Sequence, residues 1–344
     1  MRKFKTILFA SLLILGISCE KLFIEADPEN LPENNFELLW SEIDENYSFF
    51  EFKNINWDSI YHEYKAEVHN NMGNTRLFEL MTDMLHELRD GHVNLYSELT
   101  HSRSYEWYAN YSMNFNFSNI QNNYLGNDYD STGPFLTKII DSVGYIYFGS
   151  LSDDFSEKDI DTVIEHFSGL RGIIFDVRNN SGGLSKTGKI TSSRFADRKR
   201  LVSYTLYKTG PEHNDFSDPQ PNYVRPGGKV QFLKPVAVLS NRRTYSAAND
   251  FVLSMSAFPH VTIIGDVTGG GGGTPYDYEL PNGWRCRFPR TQTLAANGFN
   301  IEHGISPDIR VYLSKSDEDN GLDTIIETAV KFISLQNEQL NQVE

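Results

Sequence analysis

The chain has 344 residues, with 46 Asp and Glu against 31 Lys and Arg, a formal net charge of −15. Such an acidic surface repels nucleic acid and anionic lipid, which excludes both as charge-driven partners. Its nine His and two Cys form no cluster with zinc-ligand spacing, so neither a metal nor a cofactor is expected. The length allows one large domain or two, with ample core.

The N-terminus carries an export leader. Arg2, Lys3 and Lys5 are basic, and residues 6–18 are apolar but too few to span a bilayer. The leader ends in Leu15-Gly16-Ile17-Ser18-Cys19. A lone Cys after a small residue predicts a lipoprotein signal peptide at 1–18, with Cys19 lipidated and the product held in the cell envelope on a lipid anchor. Gly16 stands where an aliphatic residue is usual, and ordinary secretion with cleavage nearby is the alternative. Loss of the leader makes the net charge more negative by its three basic residues. With Cys19 acylated, Cys286 is alone and no intrachain disulfide can form. Residues 19–35 are polar, contain Pro28 and Pro32, and read as a tether.

Three helical patterns follow in a small domain at 36–97. Phe36, Leu39, Ile43, Tyr47 and Phe50 recur at spacings of three and four; so do Ile60, Tyr64 and Val68, then Leu77, Met81, Met84, Leu85 and Leu88. Thr75 suits the N-cap of the third helix. Residues 98–140 are rich in Asn, Ser, Tyr and Asp and read as short strands and loops. From 141 to 344 the pattern becomes an α/β core. Strands are predicted at 145–148, 172–177, 235–239 and 261–264. Helices are predicted through Ile160 to Phe167, around 186–196, after Ser246, and from Leu322 to Ile333. This alternation predicts parallel crossover units with both sheet faces covered. Trp284, Cys286 and Phe288 alternate with Arg285 and Arg287 as in a half-buried strand. Those two arginines and Arg290 suit either a substrate carboxylate or a solvated strand face.

Five segments bear on chemistry. Thr244-Tyr245-Ser246-Ala247-Ala248 lies between a strand and a helix. A serine there stands at the positive end of the helix dipole, and the Ala247 N–H is free to meet an oxyanion. The same position suits an N-cap serine. Residues 176–183, Asp-Val-Arg-Asn-Asn-Ser-Gly-Gly, follow a buried strand; Gly182 and Gly183 allow N–H groups to face a cleft, as half an oxyanion hole, a phosphate cradle or a plain tight turn. No Walker Lys or complete G-x-G-x-x-G supports a nucleotide. His92, in Asp90-Gly91-His92, follows a helix end; Glu302 precedes Gly304-Ile305-Ser306-Pro307-Asp308; and the five glycines at 269–273 read as a flexible loop. A serine nucleophile needs a base, a histidine of pKa about 6–7 supplies it, and a carboxylate fixes its tautomer, in any sequence order.

In this order the segments resemble the tricorn and C-terminal-processing peptidases, a family of serine peptidases, over roughly residues 36–315. The resemblance implies a core like that of ClpP and crotonase, and an endopeptidase that cuts unfolded or extended polypeptides. One branch of the family uses a lysine downstream of the serine, but here that region is the glycine run and holds no Lys. The tricorn-like branch implies Ser246 as nucleophile, His92 as base and Glu302 as its carboxylate, with Ala247 and Gly182 or Gly183 as oxyanion donors. Gly91 departs from that pattern, which has serine before the histidine. About 50 residues separate His92 from the strand at 145, too few for the PDZ domain of many members, which needs roughly 80 to 100 residues. The partner expected is a peptide or protein substrate. A catalytically inactive binding or scaffold lipoprotein on the same fold is the alternative; an esterase is disfavoured because no G-x-S-x-G elbow is present.

Overall fold

The computed structural model describes residues 28–151 and 155–341. The leader, Cys19 and most of the tether lie outside the described residues. Thirteen strands are described: β1 (Asn94–Tyr96), β2 (Asp130–Thr132), β3 (Phe135–Ile140), β4 (Val143–Phe148), β5 (Gly172–Asp176), β6 (Arg200–Tyr207), β7 (Gln220–Val224), β8 (Val236–Ser240), β9 (Val261–Gly265), β10 (Pro275–Glu279), β11 (Arg285–Pro289), β12 (Thr291–Ala295) and β13 (Ile309–Arg310). The main sheet has the order β13-β9-β8-β5-β4-β3-β2. Its segment from β13 to β4 is parallel, and β3 and β2 add an antiparallel edge.

The apolar runs of β5 and β8 follow from burial on both faces. Ile173, Phe175, Val236 and Val238 enter one core, under the helices Glu157–Phe167, Ser185–Ser193 and Ala247–Ser256. Ile174, Ala237 and Leu239 enter the opposite core with Ile325, Ile326 and Ala329 of the C-terminal helix Thr324–Asn341. Successive residues of a strand point to opposite faces, so a strand covered on both sides is apolar throughout. Burying each such large apolar side chain contributes about 1.5–3 kcal/mol. Ser156 and Asp159 form a capping box that starts the helix Glu157–Phe167.

The first predicted pattern divides at Tyr47 into the helices Pro32–Asn46 and Phe50–Lys53, and the second and third correspond to Trp57–Lys65 and Asn74–His86. The helix of the third pattern starts two residues earlier than an N-cap at Thr75 implies, with Gly73 at the N-cap. These helices do not close a core of their own. Phe36, Leu39, Met81 and Leu85 pack with Cys286 and Phe288 of the three-stranded sheet β1-β11-β10 and with Leu280 and Trp284 in the turn between β10 and β11. Residues far apart in sequence thus build one layer, which a break at 97 does not describe. The α/β core likewise begins before 141, because β2 and β3 join the main sheet. A third sheet, β12-β6-β7, lies in segments with no predicted strand. Among the described residues, no helix is long and apolar enough to cross a membrane.

Candidate active site

The turns after β5 and β8 leave the carboxyl ends of neighbouring parallel strands, where α/β sheets place their ligand crevices. Ser246 lies on the second turn with φ 56° and ψ −128°, a conformation that L-residues avoid. It is held there by Ser246 N–H donating to Gly270 O at 2.9 Å and Tyr245 N–H donating to Asn180 O at 3.0 Å. The serine side chain does not cap the following helix. Its Oγ instead lies 2.9 Å from Nε2 of His92. Of the two roles open to this serine, N-cap and nucleophile, only the second matches that geometry.

The strand-turn segment 176–183 is braced from below. Arg178 is fully buried between Asp176 at 2.6 Å and Asp323 at 3.0 Å. Asn180 donates to Phe148 O at 2.8 Å and accepts the Gly182 N–H at 2.9 Å. The Gly182 N–H is therefore committed and does not serve as an oxyanion donor. Gly182 instead permits close approach: a Cβ there would lie 2.9 Å from Ala247 N and 2.9 Å from Ser246 Cβ. Gly183 N–H and Ala247 N–H donate to no acceptor among the described residues, and Gly183 and Ser246 line the same cleft of about 600 Å³. These two N–H groups form the candidate oxyanion hole.

His92 arrives from the other layer, just ahead of β1. Asp90, buried beneath it, accepts the His92 backbone N–H through Oδ1 at 2.8 Å. Its Oδ2 accepts Tyr47 Oη–H and Lys53 Nζ–H, both at 2.8 Å. Glu302, expected against the imidazole, is held elsewhere: Oε1 pairs with Lys53 Nζ at 2.8 Å and Oε2 accepts Gly272 N–H at 2.8 Å. Nδ1 of His92 is buried without a protein partner. The structure thus brings Ser246 and His92 together and links Glu302 to them indirectly, through Lys53 and Asp90 on one side and the glycine run on the other. Asp308, the other carboxylate of that tail, accepts Ile263 N–H at 2.8 Å and secures β9.

Charge follows this geometry. Burial pushes the His92 imidazole down to about 4, aided by Arg287 and Lys53 and opposed by Asp90. The base is neutral across the physiological range, lower than the ordinary value expected from the sequence. Burial raises the Glu302 carboxyl above its ordinary value, with Lys53 pulling it back down and Asp90 pushing it up. Burial works against the charge of Lys53, but Asp90 and Glu302 together hold its pKa above the ordinary value.

Gly91 has a steric reason. A Cβ there would meet Trp107 Nε1 at 2.5 Å and Tyr245 Oη at 2.9 Å. Tyr245 stacks on Trp107 at 4.0 Å between ring centres, and the His92 ring lies 4.9 Å from Tyr245, tilted against it. The space that a serine side chain needs is thus filled by two aromatic rings. The glycine run is also unlike its expectation. Residues 269–273 are buried, and a Cβ on Gly270 would fall 1.8 Å from Glu302 O. The run is packed floor under Tyr245 and Glu302. Sequence reasoning assigns no role to Lys53, Asp90, Tyr245 or Trp107, although Asp90 and Tyr245 stand beside His92 and Ser246 in the segments that carry the chemistry. Among the described residues, no group of three or more His, Cys, Asp or Glu could hold a metal ion.

A serine and a neutral histidine in hydrogen-bond contact, facing two free N–H groups, define a serine hydrolase site on an α/β core. Comparison with known proteins narrows the class. The model of peptidase family S41 matches residues 142–311, and that of the tricorn protease C1 domain matches residues 28–86. A solved structure from Parabacteroides merdae ATCC 43184, assigned as a peptidase, is 44% identical; the match covers 89% of this chain and 97% of that one, with a TM-score of 0.84. The chain belongs to peptidase family S41, a family of serine peptidases, with a tricorn C1 domain at its N-terminal side. It is 26% identical over 175 residues to the carboxy-terminal processing protease CtpA of Bacillus subtilis, covering 50% of this chain but 35% of that relative. The C-terminal processing peptidase of Tetradesmus obliquus is 29% identical over 42% of this chain and 29% of its own length. The matches thus span about a third of these curated relatives. Mature CPAF shares the fold alone, at 13% identity and a TM-score of 0.68 over 91% of this chain and 98% of that one.

Proposed function

We propose that this protein is a serine endopeptidase that hydrolyses peptide bonds in unfolded or extended polypeptides of the cell envelope, to which Cys19 ties it through a lipid. The observation that carries the catalytic part is the 2.9 Å contact between Ser246 Oγ and His92 Nε2 at the mouth of the cleft. In this reading His92 Nε2 takes the Ser246 hydroxyl proton as Oγ attacks the scissile carbonyl carbon. The oxyanion meets the N–H groups of Ala247 and Gly183. The imidazolium then gives its proton to the leaving amine, and water hydrolyses the acyl-serine by the same route. Asp90 is the carboxylate in direct contact with His92 and favours the imidazolium. Glu302 supports it at one remove, by fixing Lys53 and the glycine floor.

The test is hydrolysis of a fluorogenic peptide by the wild type and by Ser246→Ala. The variant should lose turnover while its melting temperature stays within a few degrees of the wild type. A fully active alanine variant would sink the mechanism. The envelope part is tested separately: Cys19→Ser should move the protein from the detergent to the aqueous phase, and unchanged partitioning would reject lipidation at Cys19.

A further inference from the structure

The cleft that holds Ser246 and His92 also carries Arg103, Arg243 and Arg287 on its walls, and no Asp or Glu lines it. Among the described residues none of these three arginines forms an ion pair. In a chain of net charge −15 this local excess of guanidinium runs against the global sign. The neighbouring arginines behave differently. Arg285 pairs with Asp277 at 3.0 Å, and Arg242 donates to Trp107 O at 2.7 Å and Thr268 O at 3.0 Å.

Arg287 lies on β11 opposite Asn94, two residues beyond the candidate base. Its Nε is buried and has no partner. A buried donor left unpaired is costly, and a site that tolerates one is a site where a ligand can satisfy it. Arg243 stands three residues before the nucleophile, its guanidinium 4.3 Å above the Tyr108 ring. Its one recorded hydrogen bond, to Asn179 Oδ1, is long at 3.5 Å. A planar guanidinium stacked on an aromatic face keeps its donor edge open and matches a carboxylate with two parallel bonds. Trp107 and Tyr108 add apolar wall for the chain on either side.

We propose that Arg103, Arg243 and Arg287 form a carboxylate-binding subsite beside Ser246, which selects peptides bearing a carboxylate close to the scissile bond. An acidic side chain and a free C-terminus supply the same chemistry. The proposal rests on reading the cleft as the peptidase site.

Three matched peptides test it: a neutral peptide with an amidated C-terminus, the same peptide with one Glu, and the neutral peptide with a free C-terminal carboxylate. Binding to Ser246→Ala is measured by fluorescence anisotropy at low salt, and kcat/KM is measured with the wild type. At least one carboxylate peptide should bind about tenfold more tightly than the neutral one, the scale of one charge-assisted hydrogen bond. The peptide that gains identifies the source of the carboxylate. Adding Arg287→Gln or Arg243→Gln should bring the ratio toward one, and Arg103→Gln, on an exposed residue, gives the same readout with little risk to folding. Equal binding of all three peptides, or a preference that survives all three arginine substitutions, overturns the proposal. Preferential binding without cleavage by the wild type would uphold the subsite and reject the peptidase reading. Cleavage with no preference would do the reverse.

Discussion

Lys53 closes an ion pair with Glu302 at 2.8 Å, and both side chains are almost entirely buried. The pair ties a short N-terminal helix to the loop ahead of β13, and the same ammonium reaches Asp90 at 2.8 Å. Two buried carboxylates therefore depend on one cation. Replacing Lys53 by Met leaves both without it. Loss of one partner from a buried ionic cluster costs about 3–5 kcal/mol. Urea unfolding of Lys53→Met should show a loss of that order, and an unchanged midpoint would mean that the cluster contributes little.

The two carboxylates should separate in kinetics. Asp90 touches His92 through the backbone N–H, whereas Glu302 contacts Lys53 and Gly272. Asp90→Asn keeps the shape but removes the charge next to the base, so turnover per folded molecule should fall by about 10–10²-fold, less than for a triad carboxylate bonded to the imidazole itself. Glu302→Gln should cost less. A larger loss for the Gln variant would return Glu302 to the role that the family resemblance implies.

The pH dependence follows from the burial of His92. The active base is the neutral imidazole, and its pKa is pushed down to about 4. Lowering that pKa extends the active form toward acid. The acid limb of kcat/KM should therefore lie near 4, with a plateau from about pH 6 upward. A limb between 6 and 7 would show an imidazole that stays solvated in the free enzyme.

Much of the site was legible because it lies on local signals. Ser246 and Gly182-Gly183 follow strands whose apolar runs are unmistakable, and His92 lies beside a helix end. Their mutual approach was not legible, because Ser246 and His92 are 154 residues apart and belong to different layers. The Lys53 cluster was hidden for the same reason: it joins residues 53, 90 and 302, and a lone Lys in an amphipathic segment looks solvated. The glycine run looked flexible because composition cannot reveal that each Cα is pressed against a neighbour. The β12-β6-β7 sheet escaped because its strands are short on buried apolar residues: β7 buries Val224 alone.

Gly91 offers a sharp steric test. Its absent Cβ would overlap the indole of Trp107 and crowd Tyr245 Oη, at 2.5 Å and 2.9 Å. Gly91→Ser should lower stability by about 1–3 kcal/mol through overpacking and displace the aromatic wall beside His92. Turnover should fall with it, and Trp107→Ala in the same chain should recover part of the stability. A Gly91→Ser variant as stable and active as the wild type would show that the aromatic pair yields freely.

The most direct measurement is labelling by a serine-directed fluorophosphonate, with the modified residue mapped by mass spectrometry. A serine in contact with a neutral imidazole and facing two free N–H groups should react, whereas an ordinary serine does not. Ser246 alone should carry the label in the wild type, and His92→Ala should lose most of it while remaining folded. Absence of label on Ser246 in a folded protein that still cleaves peptides would contradict the assignment of Ser246 and His92 as the reacting pair.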